Sequence, residues 1–334
     1  MSTRKVLYLP RAGLSREILS PRARDLLNRL GTVIWNETDR DLTADELAEL
    51  LPGAQAVITS WGTPTFTPEL LEIADDLRIV GHAAGTVKKL MPPEGHARGI
   101  VVLSAAPIIA DAVAEYTLWA MLNRQRNLNR YGARMKQERG WKRSDEHFGH
   151  SLYHKKVGLV SASMVGRRVI SLLAPFGCDI HVYDPYLSEA ECETLGVRKA
   201  SLEQLFAEND IVSIHAPSTP ETKQMIGAAH FQAMQDGALL VNTARTWVLD
   251  SDALLAELRR GRIDAVLDVF DQEPLPADDP LRDLDNVFLT PHVSGQSEET
   301  RLRLVEGIAE DMVRFFAGET PRLAVPPERL SIMA

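Results

Sequence analysis

Val157-Gly158-Leu159-Val160-Ser161-Ala162-Ser163-Met164-Val165-Gly166 reads as a buried strand that passes through small residues into a helix. The helix continues in Arg167-Arg168-Val169-Ile170, and the next strand ends at Val182-Tyr183-Asp184-Pro185. Strand, tight turn, helix and strand make one βαβ unit, in which the two strands run parallel. A dinucleotide-binding unit carries G-x-G-x-x-G in that turn. Only the third glycine, Gly166, is present here; serines stand at 161 and 163. Serine is small enough for a pyrophosphate to approach the backbone at the helix N-terminus. Ser163, Met164, Val165 and Gly166 are therefore the expected pyrophosphate contacts. Asp184, at the end of the second strand, suits the ribose hydroxyls of NAD and repels the 2′-phosphate of NADP. The alternative for Asp184 is a solvated strand end; with the turn before it, NAD is the expected cofactor.

Beyond this unit the pattern repeats. Strands are expected near 211–215, 238–243, 265–269 and 287–290. A first βα series precedes them, with strands at Val6–Pro10, Val33–Trp35, Ala56–Thr59, Ile79–His82 and Val101–Leu103. A helical pattern from about Ile109 to Glu138 joins the two series. A last helix, Glu298–Phe316, is amphipathic through Leu302, Val305, Ile308, Met312 and Phe315. The fold class is α/β: two doubly wound parallel-sheet lobes, a Rossmann NAD-binding domain and a smaller flavodoxin-like domain. The expected division is 1–122, completed by 297–334, and 123–296.

Three apolar runs in the second series end in residues that carry chemistry. They are Asn242-Thr243-Ala244-Arg245, Asp268-Val269-Phe270-Asp271-Gln272-Glu273-Pro274, and Pro291-His292. The carboxyl ends of parallel strands face the ligand crevice. A fixed guanidinium, a carboxylate and an imidazole would then meet there, a set able to hold a 2-keto acid and move one proton. Read singly, His292 is a cap, Arg245 an ion-pair residue and Glu273 a turn residue; their joint order makes the case.

The bounds exclude other classes. Net charge is −9, and no long basic run offers a nucleic-acid surface. No apolar stretch approaches the roughly 20 residues that span a bilayer. Met1-Ser2-Thr3-Arg4-Lys5 leads straight into a strand rather than a signal peptide. Two cysteines, Cys178 and Cys192, lack the spacing of a disulfide framework or metal site. A cytoplasmic enzyme without a metal is expected. His82, His96, His147, His150 and His154 fall outside the pattern and read as structural or solvated.

These blocks, in this order, resemble the D-isomer-specific 2-hydroxyacid dehydrogenases. The likeness runs through 157–184, Ser213-Ile214-His215-Ala216-Pro217 with Pro220-Glu221-Thr222, 241–245, 267–274 and 289–295. It implies that Arg245, Glu273 and His292 are the catalytic set. It further implies that His215, Ala216, Pro217, Thr222, Thr243, Ala244 and Asp268 line the cofactor site, and that the first lobe is the substrate domain. The implied partners are a small 2-keto or 2-hydroxy acid and a second copy of the chain, as a homodimer.

The chain also departs from that pattern. Where the family's substrate loop reads close to R-A-G-V-G-x-D-N, this chain has His82-Ala83-Ala84-Gly85-Thr86-Val87-Lys88-Lys89. Gly85 and Thr86 still offer backbone N–H groups to a carboxylate. Lys88 points to a substrate with a second negative charge, or is a surface lysine. After Arg245, Thr246-Trp247 replaces the usual Gly-Gly or Gly-Xaa; with Trp61 this indole is expected to shape the acyl pocket. Two other readings stay open. One is an NAD(H)-sensing interaction protein like the corepressors of this fold. The other is a same-fold enzyme acting on formate or phosphite, against which Glu273 counts.

Overall fold

The computed structural model describes residues 4–143 and 148–333. Expectations for Met1–Thr3, His147 and Ala334 lie outside the described residues. The chain forms two compact units, Met1–Ile109 with Gln296–Ala334, and Ala110–Gly295.

The first unit holds a parallel five-stranded sheet: β1 (Arg4–Tyr8), β2 (Gly31–Trp35), β3 (Ala54–Thr59), β4 (Ile79–His82) and β5 (Val101–Ser104), in the order β2-β1-β3-β4-β5. The closing helix, Glu298–Phe316, belongs to this unit. Its Val305, Ile308 and Met312 pack with Val6, Tyr8, Ile58 and Leu103. Of the expected apolar stripe, Leu302 instead faces outward, 37% exposed. The helix comes so close to β4 that a Cβ on Gly81 would lie 2.2 Å from Ile308 Cγ2, so glycine is what this crossing admits.

The second unit is a seven-stranded parallel sheet. Its strands are β6 (Lys156–Val160), β7 (Asp179–Tyr183), β8 (Arg198–Lys199), β9 (Ile211–Ile214), β10 (Leu239–Asn242), β11 (Asp264–Leu267) and β12 (Val287–Leu289). Their order is β12-β11-β10-β9-β6-β7-β8. From β6 the chain runs outward through β7 and β8, then returns to the other side of β6 as β9. Between β6 and β9 the strand order reverses, and the carboxyl ends of those two strands open the crevice where such sheets take ligands. β8, two exposed residues without an apolar pattern, has no signal in the sequence.

Two expectations are corrected. The helix expected from Ile109 to Glu138 is two helices, Ala106–Gln125 and Leu128–Lys136. Asn127 separates them at φ 53°, a left-handed conformation through which a right-handed helix does not continue and which asparagine tolerates better than most residues. The division between units falls at Ile109/Ala110, not 122/123. Ala114, Ala120 and Met121 explain the shift, because they pack into the core of the second sheet with Val157, Leu159 and Val241. No helix among the described residues is long and apolar enough to cross a membrane.

Candidate active site at the carboxyl ends of the second sheet

The imidazole, the carboxylate and a buried aspartate form one hydrogen-bonded construction. His292 Nδ1 lies 2.7 Å from Glu273 Oε2, and the Phe270 N–H donates to Glu273 Oε1 at 3.0 Å. Burial pushes the Glu273 carboxyl up. The hydrogen bonds from His292 and Phe270, and the positive charges of His292 and Arg245, outweigh it and hold the group below its ordinary value. An ionised carboxylate only accepts, so Nδ1 carries the proton of the pair. His292 itself stands at φ 54°.

Asp268 fixes the loop that presents His292. Fully buried at the end of β11, it accepts from Thr290 Oγ1 at 2.6 Å and Val293 N at 2.9 Å through Oδ1, and from Ser294 N at 2.8 Å through Oδ2. Tyr116 bonds the same Thr290 hydroxyl at 2.6 Å, and burial pushes its phenol up to about 12. Asp268, an expected cofactor contact, thus also has a task within the protein, since it accepts three hydrogen bonds from residues 290–294. Thr290, Ser294 and Tyr116 escaped the sequence reading because hydroxyls this common carry no motif.

Arg245 follows β10, exposed, with Nη1 donating to the Ala244 carbonyl at 2.6 Å and no ion pair among the described residues. The chain there is shaped by Asn242, whose Oδ1 accepts from Ala244 N at 3.0 Å and whose Nδ2 donates to the Arg245 carbonyl at 3.3 Å. Thr243 is buried, its hydroxyl 3.2 Å from that of Thr117. A guanidinium in no direct ion pair among the described residues is suited to a planar two-point grip on a substrate carboxylate.

The turn after β6 fits a dinucleotide. A Cβ on Gly166 would lie 2.3 Å from the Ser161 carbonyl, so only glycine permits this approach of helix to strand. Ser163 caps the helix Met164–Leu173, accepting from Gly166 N. Ser161 takes φ 82°, the conformation for which the pattern has glycine. Its hydroxyl donates to Asp184 Oδ2 at 3.1 Å, and the Ala162 N–H donates to the same oxygen at 2.9 Å. Tyr186 N–H occupies Oδ1 at 2.9 Å. Each carboxylate oxygen has further lone pairs for ribose hydroxyls.

The segment after β9 forms the other lip of the crevice. His215 is buried, both ring nitrogens are without a hydrogen-bond partner among the described residues, and burial pushes it down to about 3. It lies against the β6 turn, its Cβ 3.8 Å from where a Cβ on Gly166 would be. An orphaned neutral imidazole beside a dinucleotide turn is what a site built for a polar ligand shows. Ala216 and Pro217 follow, and Thr222 Oγ1 donates to the Pro217 carbonyl at 2.7 Å. Trp247, expected in the acyl pocket, donates its Nε1–H to the Thr219 carbonyl of this segment.

In the first unit, the loops after β3 and β4 leave neighbouring strands at the same sheet edge. Ser104 Oγ donates to the Gly85 carbonyl, and Thr86 beside it is exposed. Lys88 is half-buried, and that burial pushes its ammonium down. Trp61 is 45% exposed, with the Arg301 guanidinium 5.7 Å from its ring centroid. His82 bonds Thr59 Oγ1 at 2.8 Å and is pushed by burial to about 4, a neutral core residue.

Residues 118–294 match the family model for the D-isomer specific 2-hydroxyacid dehydrogenase, NAD binding domain. The chain is 33% identical to a glyoxylate reductase of Korarchaeum cryptofilum over 97% of its own length and 98% of the relative's. It is 32% identical to a D-3-phosphoglycerate dehydrogenase of Methanocaldococcus jannaschii over 90% of its length, spanning 57% of that longer chain. Among solved structures, a phosphoglycerate oxidoreductase from Rhizobium etli superposes with a TM-score of 0.82 at 26% identity, covering 96% of this chain and 98% of that one.

Proposed function

The chain belongs to the D-isomer-specific 2-hydroxyacid dehydrogenases and carries their NAD-binding domain, and on that premise we propose that it interconverts a small 2-keto acid and its D-2-hydroxy acid. The observation that carries this reading is the Glu273–His292 pair, held by a fully buried Asp268 beside a guanidinium with no ion pair among the described residues.

Ser163, Met164, Val165 and Gly166 would hold the pyrophosphate, Asp184 the adenine ribose, and the segment His215–Thr222 with Thr243 and Ala244 the nicotinamide half. NADH, when bound, supplies the hydride for the carbonyl carbon. Arg245 grips the substrate carboxylate and keto oxygen, which fixes the orientation of the carbonyl. As the carbon–oxygen double bond becomes an alkoxide, His292 delivers the proton. With Nδ1–H given to Glu273, the transferred proton is the one on Nε2. Glu273 keeps the ring oriented and leaves Nε2 as the nitrogen that faces the reaction. In the oxidation direction His292 accepts the same proton.

Gly85 and Thr86 are assigned to the carboxylate through their backbone N–H groups, and Trp61 to the wall of the acyl pocket. Lys88, in the same loop, favours an acid with a second negative charge; the name of the phosphoglycerate relatives describes such a substrate. A homodimer and NAD in preference to NADP complete the proposal, the latter on Asp184. Nothing in the site or among the relatives named above favours the interaction-protein alternative.

The test is loss of NADH absorbance with glyoxylate, hydroxypyruvate, pyruvate, 2-ketoglutarate and a phosphonate-bearing keto acid. Turnover is expected with at least one of them, and His292→Ala should lower kcat by about 10²–10⁴-fold with NADH binding retained. A His292→Ala enzyme as fast as the parent would remove the assignment. Lys88→Met should raise KM for the dianion alone; an equal KM change for mono- and dianions would remove the second charge from the proposal.

A further inference from the structure

We propose that Trp247 is a positioning residue whose indole latches the segment after β9 to the turn that carries Arg245, fixing one lip of the cofactor crevice. The inference rests on the dehydrogenase reading for what the crevice binds.

Residues 247 and 248 tether residues 219–226 at four points. Trp247 Nε1–H donates to the Thr219 carbonyl at 2.7 Å, and the Lys223 ammonium sits 5.1 Å from the indole centroid. The Trp247 carbonyl accepts from Gln224 N at 2.8 Å, and the Val248 carbonyl accepts from Ile226 N at 3.1 Å. The two backbone bonds are open to any residue; the two side-chain tethers need the indole. Between them they span a segment with little regular structure of its own. Gln224 stands at φ 47°, and the local order comes from Thr222, which accepts from Thr219 N at 2.9 Å and donates to the Pro217 carbonyl.

Both ends of the latch matter to the site. The tethered segment begins at His215, packed against the turn after β6 on the opposite lip of the strand-order reversal. The latch itself sits two residues after Arg245, in the middle of a single 3-10 turn, Thr246–Val248. A glycine at 247 has no side-chain atom to reach Thr219. In this chain the β9 segment and the Arg245 turn therefore move as one piece. A loose lip must be ordered when the dinucleotide binds, and a latched one has already met that cost.

Trp247→Phe keeps a ring for Lys223 and removes only the N–H donor; Trp247→Gly removes both side-chain tethers. On the unliganded protein, amide exchange is expected to quicken over 219–226 in both variants and to stay unchanged in β6, β10 and β11. The Kd for NADH, read by calorimetry, is expected to rise about tenfold in Trp247→Phe and further in Trp247→Gly. At saturating NADH, kcat should stay within about twofold, a split that general loss of stability does not produce. Unchanged exchange over 219–226 with an unchanged Kd in Trp247→Gly would overturn the proposal. So would exchange that quickens equally across the whole sheet. If the parent protein binds NADH and the variants behave as expected, yet no 2-keto acid is reduced, the latch stands and the dehydrogenase reading falls.

Discussion

Among the crevice residues at positive φ are His292 at 54° and Ser161 at 82°. Such a conformation costs an L-residue roughly 1–2 kcal/mol. At Ser161 the hydrogen bond to Asp184 offsets part of that cost. Ser161→Ala keeps the strain and loses the bond, whereas Ser161→Gly loses both. The glycine variant should therefore unfold at higher denaturant than the alanine variant, by about 1 kcal/mol; equal midpoints would mean that the left-handed backbone stores no strain. Glu273 yields a prediction about pH. Because its folded value is lowered, the carboxylate's contribution to stability is present above its ordinary value of 4.5 and lost as pH falls through the folded one. Glu273 orients the His292 ring through Nδ1. Glu273→Gln should lower kcat for keto-acid reduction by roughly tenfold with the Kd for NADH unchanged. An unchanged kcat would sink the assigned role. The identities of His292, Glu273, Arg245 and Gly166 were legible because chemistry and spacing restrict them. The left-handed serine was not, because the glycine pattern marks where freedom is needed and says nothing of how a replacement meets the need.

At the scale of elements, strands with continuous apolar runs were placed within a residue or two, since burial on both faces forces that composition. Where the reading failed, the deciding force was not periodicity. The helical pattern across 109–138 continues through Asn127 while the backbone does not, and β8 gains its pairing from β7 alone. The internal task of Asp268 was hidden for a related reason: a carboxylate at a strand end reads alike whether it faces a cofactor or its own neighbouring loop. Its three donors come from 290–294, so the element it governs is the His292 loop. Asp268→Asn replaces one accepting oxygen with a donor that faces Thr290, Val293 or Ser294. Leaving a buried pair of donors opposed costs about 1–3 kcal/mol, more when the lost acceptor was charged. The expected result is a protein at least about 2 kcal/mol less stable, with kcat reduced more than the Kd for NADH is raised. A variant with normal kcat and weak NADH binding would return Asp268 to the cofactor contact first expected.

At the scale of the whole molecule, the proposed homodimer turns on side chains that the second unit leaves uncovered. Along the two helices 106–125 and 128–136 and the segment after them, Trp119 is 40% exposed, Leu128 53%, Met135 48%, Trp141 68%, Phe148 64% and Tyr153 60%. Single exposed apolar residues are ordinary; these six, spread between positions 119 and 153, are where the proposed homodimer contact is placed. A stable pairing buries roughly 800 Å² on each partner, and aromatic anchors supply much of its energy. An isologous dimer through this stretch places the same residues on both sides, so one substitution acts twice. Trp141→Glu is expected to convert a dimer into a monomer in light scattering at micromolar concentration, with the compact units still folded by circular dichroism. Phe148→Glu should do the same, whereas Leu302→Glu, exposed on the first unit, should leave the dimer intact. A parent chain that runs as a monomer would remove the homodimer. A dimer that survives both Trp141→Glu and Phe148→Glu would move the interface elsewhere.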